Sequence, residues 1–322
     1  MNTRFATLEK EVADALWTLG RDVERSSKGG WRWHVDDRGG APVDVRLEDE
    51  WFTCQLPVPS PSSEAELWRT VERSSFLDGA CKVMVEPRDS TFHIRQDVPV
   101  TEDGDFPSFC RRALEDVVSA RRKHLNSNGG DATPAREEQA KSNDTKTEEL
   151  PAPLAVSTTA AGALKDACLE AGWCWSEREG GEPSVDLDVP HGSRKVVVEA
   201  FPGEGCRLSV PLARHKSLSG TSRAAVAVFL LTANAFVRFA RAGVEESENG
   251  VEMFYEVWID ERPTPAVVGH ALSSLSIGCR FCEEELQVLG DEVVARTYLE
   301  TRGTLLEAGT RSPRKRVPAR QG

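Results

Sequence analysis

Two stretches of the 322-residue chain share one pattern: GWRWHVDDRGG at residues 30–40 and GWCWSEREGG at residues 172–181. Each places Gly-Trp-x-Trp shortly before a Gly-Gly pair. The whole chain holds only eight tryptophans, so two matched pairs in separate halves indicate an internal duplication.

The first half follows the order helix, three strands, helix, two strands, helix. Apolar residues recur at helical spacing from Phe5 to Leu19. Ser63 and Glu66 have the spacing of a capping box, which predicts the start of the middle helix. The strand-like runs are WRWHV, VDVRL, WFTCQLPV, ACKVMVEP and STFHIRQDVPV.

The second half repeats this order. Its helical runs are TAAGALKDACLEAG, SRAAVAVFLLTANAF and PAVVGHALSSLSIGCRFCEEEL. Its strand-like runs are SVDLDVP, RKVVVEAFP, GCRLSVPL, VRFARAGVEE and VEMFYEVWID. We therefore predict an α+β protein of two tandem lobes, each an antiparallel five-stranded curved sheet with three helices in the order αβββαββα.

Composition sets the expected boundaries. Residues 126–153 hold almost no apolar side chains, so they cannot bury enough surface to fold. This composition predicts a disordered linker. The lobes then span 1–125 and 154–302, and a basic tail, expected to be disordered, spans 303–322.

Charge and hydropathy narrow the class of partner. The net charge is −12, and both lobes are acidic, which makes nucleic acid an unlikely ligand except weakly through the basic tail. The longest apolar run, residues 224–237, is too short to span a membrane. The amino-terminal residues lack the pattern of a signal peptide, so we expect a cytoplasmic protein with reduced cysteines.

This order of elements in two small acidic lobes resembles the bacterial class I type III secretion chaperones and the YbjN-like family that shares their fold. The resemblance implies pairing of lobes through the middle helix and binding of an extended segment of a secreted effector. The run SRAAVAVFLLTANAF is apolar all round and must be covered on every side. We therefore predict an intramolecular pseudo-dimer with Val228 and Leu231 in the interface between the lobes.

No phosphate-binding loop, dinucleotide fingerprint, zinc-protease helix or nucleophile elbow occurs in the sequence, and its six histidines are scattered. We expect no catalytic residues, no cofactor and no metal. Cys279 and Cys282 have the one spacing that invites chemistry, but a zinc site needs four ligands. An enzyme or a metal or redox protein built around this pair is the alternative, as is a regulator that contacts nucleic acid through its tail.

The tryptophans are the candidate binding residues. Side chains alternate along a strand, so Trp31 and Trp33 share a face that is either core or the lining of a groove for an extended partner. Trp173 and Trp175 have the same spacing. We predict a non-enzymatic, chaperone-like protein-binding module that uses these four residues.

Overall fold

The structure is a computed structural model. It describes residues 3–18, 23–26, 29–34, 41–48, 51–74, 77, 79–101, 106–127, 158–177, 183–189, 192–201, 205–260 and 262–302. The predicted linker, apart from residues 126 and 127, lies outside these ranges, and so does the predicted tail.

The first lobe runs from helix α1 (Thr3–Thr18) to helix α3 (Phe106–Ser127), with α2 (Glu64–Ser74) between them. Its strands are β1 (Val23–Arg25), β2 (Trp31–Trp33), β3 (Val43–Glu48), β4 (Trp51–Val58), β5 (Lys82–Val85) and β6 (Phe92–Pro99). The Glu66 amide donates to Ser63 Oγ at 3.2 Å, while Glu66 Oε2 accepts from the Ser62 amide at 2.6 Å. The capping residues are therefore confirmed, although the returning bond reaches one residue further back.

The second lobe has the same order and an added helix at its end. Its helices are α4 (Thr158–Glu170), α5 (Gly220–Phe236), α6 (Pro265–Val288) and α7 (Glu292–Arg302). Its strands are β7 (Trp175–Glu177), β8 (Pro183–Val189), β9 (Gly192–Phe201), β10 (Gly205–His215), β11 (Arg241–Ser247) and β12 (Gly250–Ile259). None of the helices within the described ranges is both long enough and apolar enough to cross a membrane.

The two sheets have the same strand order, β1-β2-β3-β4-β6-β5 and β7-β8-β9-β10-β12-β11. Every pairing in them is antiparallel. The α+β fold of two tandem lobes is confirmed, but the prediction of five strands per sheet was wrong because each described sheet has six. The missed strands, β1 and β7, have three residues each, too few to show an alternating pattern.

The repeated tryptophan phrase does not mark equivalent positions. Trp31 and Trp33 form β2, whereas Trp175 begins β7, which takes the place of β1 in the strand order. Aligning the two copies of the phrase would therefore pair β2 of the first lobe with β7 of the second, although β7 corresponds to β1. What the lobes share is the order of their strands and helices.

The first helices of the two lobes also match in burial. Residues of the two helices can be paired at one constant difference in residue number. Both members of three such pairs are buried: Val12 and Leu164, Ala15 and Ala167, and Leu16 and Cys168. The next pair, Trp17 and Leu169, is exposed in both lobes. Each helix therefore presents its apolar side to its own lobe in the same way.

Candidate functional site

Helix α5 lies between the lobes. It packs against α2 and β5 of the first lobe and against β11, α6 and α7 of its own lobe. Every residue from Ala224 to Asn234 is buried, including Val228 and Leu231. The side-chain amide of Asn234 donates to the Val83 carbonyl of β5 at 2.9 Å. The central part of SRAAVAVFLLTANAF, Ala224–Asn234, is thus covered by both lobes.

A buried lysine of the first lobe reaches into the second. Lys82, at the start of β5, is 1% exposed, and its ammonium forms an ion pair with Asp97 at 2.9 Å. The same ammonium donates to the carbonyl oxygens of Val237 and Ala240, between α5 and β11. Burial lowers the pKa of Lys82 to about 8. Burial by itself would raise the pKa of Asp97, but Lys82 and Arg95 hold that pKa well below its usual range.

A buried arginine of the second lobe makes the reciprocal contact. Arg241, at the start of β11, donates through Nε to Glu256 at 2.6 Å. Its Nη1 donates to the carbonyl oxygens of Leu77 and Cys81 at 2.9 Å each and of Gly79 at 3.3 Å, all between α2 and β5. Arg241 and Glu256 are 3% and 0% exposed.

Each of these two cations extends from its own lobe into the other lobe. Each begins the corresponding edge strand of its sheet, is paired with an acid of the adjacent strand, and caps backbone carbonyls of the other lobe. The two ion pairs correspond in strand order but not in register. Glu256 lies directly across from Arg241, whereas Arg95 lies across from Lys82, and Asp97 is two residues further along β6. Buried charges that lose their partners are costly, so these contacts favour this one arrangement of the lobes.

An exposed apolar cluster lies beside α5. Phe236, Ile277 and Phe281 are 57%, 55% and 45% exposed, and we call these three residues the apolar patch. The ring centroids of Phe236 and Phe281 are 5.7 Å apart, and Phe281 stacks on buried Phe229 at 6.0 Å with an angle of 10° between planes. Ile277 precedes Phe281 by one helical turn, so both lie on the same side of α6.

The apolar patch was missed in the sequence. Phe236 ends a run that predicted complete burial, and Ile277 and Phe281 belong to a helix whose apolar residues occur on several sides. A signal was present, since Ile277 and Phe281 lie on a different side of α6 from the buried residues Leu275, Cys279 and Leu286. A helix that packs on one side needs a single apolar stripe, so a second stripe indicates apolar residues outside the core.

The tryptophans divide into two groups. Trp31 and Trp33 are 4% and 5% exposed and belong to the core, so their proposed role in partner binding was wrong. Their alternation on β2 places both indoles on the buried face of the strand, while Arg32 between them is exposed. Trp173 and Trp175 are half-buried against the second-lobe core, near exposed Cys174 at the outer edge of the sheet. Their role in binding stays a prediction.

The cysteine pair is placed in the core. Cys279 and Cys282 are buried on the inner side of α6, and the Cys282 thiol lies 3.7 Å from the hydroxyl of fully buried Tyr255. Burial raises the pKa of Cys279 to about 11 and that of Cys282 to about 12. Thiols that stay protonated at neutral pH are poor nucleophiles and poor metal ligands. Across the described ranges, no group of three or more His, Cys, Asp or Glu side chains could hold a metal ion.

No family model matches the sequence, and no curated protein does. Among solved structures, the crystal structure of DynU16, a protein of the dynemicin biosynthetic locus, aligns over 87% of this chain and 94% of its own. The sequence identity is 10% and the TM-score is 0.13. A TM-score this low does not establish a shared fold.

Proposed function

We propose that the chain is a non-enzymatic, chaperone-like protein-binding module that holds an extended or apolar segment of a partner protein at the apolar patch. One observation carries the proposal: three large apolar side chains are about half exposed and lie together. A contiguous exposed apolar patch on a soluble protein often marks a site where a partner binds.

The chemistry of the apolar patch suits a protein segment. Aromatic side chains are enriched at the centres of protein interfaces, and the surrounding rim is polar. Here Arg280 and Glu284 are exposed on the same helix as Ile277 and Phe281. These side chains are already about half-buried, so covering one of them would gain roughly half of the 1.5–3 kcal/mol that complete burial of such a side chain provides.

The support beneath the apolar patch favours binding without rearrangement. Phe281 rests on Phe229, which in turn contacts Tyr298 of α7 edge-on at 6.3 Å. Rings held in this way have less side-chain entropy to lose when a partner covers them. The resemblance to secretion chaperones suggests an extended segment of a secreted effector as the partner, with Trp173 and Trp175 as a second contact.

Binding of an unfolded chain tests the proposal. A fluorescein-labelled, reduced and carboxymethylated protein, which stays unfolded in buffer, is titrated with the full-length chain while fluorescence anisotropy is recorded. We expect saturable binding that Phe236→Gln and Ile277→Gln each weaken about tenfold, because about 1.4 kcal/mol of apolar contact corresponds to a factor of ten.

Trp17→Gln is the matched control. Trp17 is 66% exposed on the first lobe, so this variant removes an equally accessible aromatic side chain outside the apolar patch. The control should bind as the unaltered chain does. Equal affinity of all three variants, or absence of saturable binding to the unaltered chain, would contradict the proposal.

A further inference from the structure

A second surface feature is a cleft where the lobes meet, away from the buried cations. Its volume is about 360 Å³, within the range of small-ligand sites. The first lobe contributes the turn between β5 and β6, and the second contributes the last turns of α5 and of α7. The lining residues are Pro87, Arg88, Asp89, Ser90, Thr232, Thr301 and Arg302.

Two arginines line this cleft, one from each lobe. Neither Arg88 nor Arg302 makes an ion pair or a hydrogen bond with any residue in the described part of the chain. The carboxylate of Asp89 accepts from the amide and the hydroxyl of Thr91 at 3.1 Å and 2.6 Å, so it is held by its own turn.

The hydroxyl groups of the cleft differ in what they offer. Thr232 and Thr301 donate to backbone carbonyls of their own helices at 2.7 Å and 2.8 Å. Ser90 has an unusual positive φ of 58°, and its amide donates to the Glu86 carbonyl at 2.9 Å, but its hydroxyl donates to none of the described residues. The hydrogen-bond donors that remain for a ligand are thus two arginines and one serine, which suits an acceptor-only, negatively charged group.

The corresponding corner of the pseudo-dimer is filled by an acid. There the turn between β11 and β12 follows Glu246, which accepts from Trp68 Nε1 at 2.9 Å and pairs with Arg223 at 2.9 Å. Trp68 belongs to α2, the counterpart of α5. One corner therefore holds an acid with its cation and indole partners, while the cleft holds two arginines and one acid, Asp89, whose carboxylate is hydrogen-bonded to Thr91.

We propose that the Arg88–Arg302 cleft binds a compact oxyanion, a phosphate monoester in particular, between the two lobes. The anion takes the place that a carboxylate occupies at the opposite corner, and it receives charge-assisted hydrogen bonds from both guanidinium groups. Because the two arginines come from different lobes, the bound anion also ties the lobes together. The inference does not depend on the apolar patch.

Thermal melting of the full chain with inorganic phosphate tests this site. Phosphate is titrated at constant ionic strength with chloride as the balancing anion, and the melting temperature is recorded. A ligand that binds only the folded state raises this temperature progressively above its dissociation constant. We expect a rise with phosphate but not with chloride, and apparent affinities at least about tenfold weaker in Arg88→Gln and Arg302→Gln.

Arg296→Gln is the control, since Arg296 lies on α7, is 66% exposed and pairs with Glu292. It should bind phosphate as the unaltered chain does. Titration with free phosphoserine and with a phosphoserine peptide distinguishes a small ligand from a protein source. A phosphate effect that is absent, or equal in all variants, overturns the proposal whatever the outcome of the unfolded-chain titration.

Discussion

Replacing Arg241 by Met should destabilise the protein more than any exposed arginine substitution. The variant keeps much of the side-chain volume but removes the cation that Glu256 faces at 2.6 Å. Glu256 is fully buried, and among the described residues the cation that it retains is Arg207, whose Nη1 lies 3.4 Å away. Three carbonyl oxygens of the first lobe lose their donor at the same time.

The size of the effect follows from these contacts. Removing one partner of a buried ion pair costs about 3–5 kcal/mol, because the remaining charge has no compensation. The unpaired carbonyls place Arg241→Met within that range rather than below it, and we expect a loss of about 4 kcal/mol. With a urea dependence of about 3 kcal/mol/M, the unfolding midpoint falls by about 1.3 M.

Urea unfolding followed by tryptophan fluorescence and circular dichroism measures this loss. Arg296→Met is the control and should change the free energy of unfolding by less than about 0.5 kcal/mol, because exposed ion pairs contribute little. Adding Glu256→Gln to Arg241→Met should restore part of the stability, since the buried charge is then removed. A midpoint within about 0.3 M of the unaltered chain would refute the role assigned to Arg241.

Three further outcomes are expected. Gly278→Ala should lower stability by about 1–3 kcal/mol in urea unfolding, although alanine favours helices, because the new Cβ would lie 2.8 Å from the Tyr255 ring; a stabilised variant would contradict the packing. A thiol reagent should label only Cys174 rapidly in the native chain, since the other seven cysteines are buried; two or more fast thiols would show an open core. The free energy of unfolding should fall as pH rises above about 9. Thiols ionise there in the unfolded chain, whereas burial raises the pKa values of Cys279 and Cys282 and keeps both thiols protonated in the folded one. The double variant Cys279→Ala/Cys282→Ala should lose less stability per pH unit, and an unchanged loss would contradict the assignment.

The fold could be predicted from periodicity because its main elements are long and repeated. The run WFTCQLPV corresponds to β4 residue for residue. The edge strands β1 and β7 could not be predicted, since three residues show no alternation and their pairing depends on neighbours distant in sequence. The same limit produced the shifted alignment of the tryptophan phrase.

The candidate sites were harder to predict because each combines residues from separate elements. The apolar patch joins the end of α5 to the middle of α6, and the cleft joins Arg88 to Arg302 across the lobes. Sequence patterns do show that α5 must be buried, but they do not show which of its residues stays exposed. Trp31 and Trp33 illustrate the converse, since a conspicuous pair turned out to be core.

Site-specific photo-crosslinking in the native host tests the proposed binding role most directly. Benzoylphenylalanine replaces Ile277 in one full-length variant and Trp17 in another, and both positions are more than half exposed. The account predicts a covalent adduct with an apolar or extended segment of a second polypeptide from position 277, and none from position 17. Absence of an adduct at position 277, or the same adducts at both positions, would contradict it.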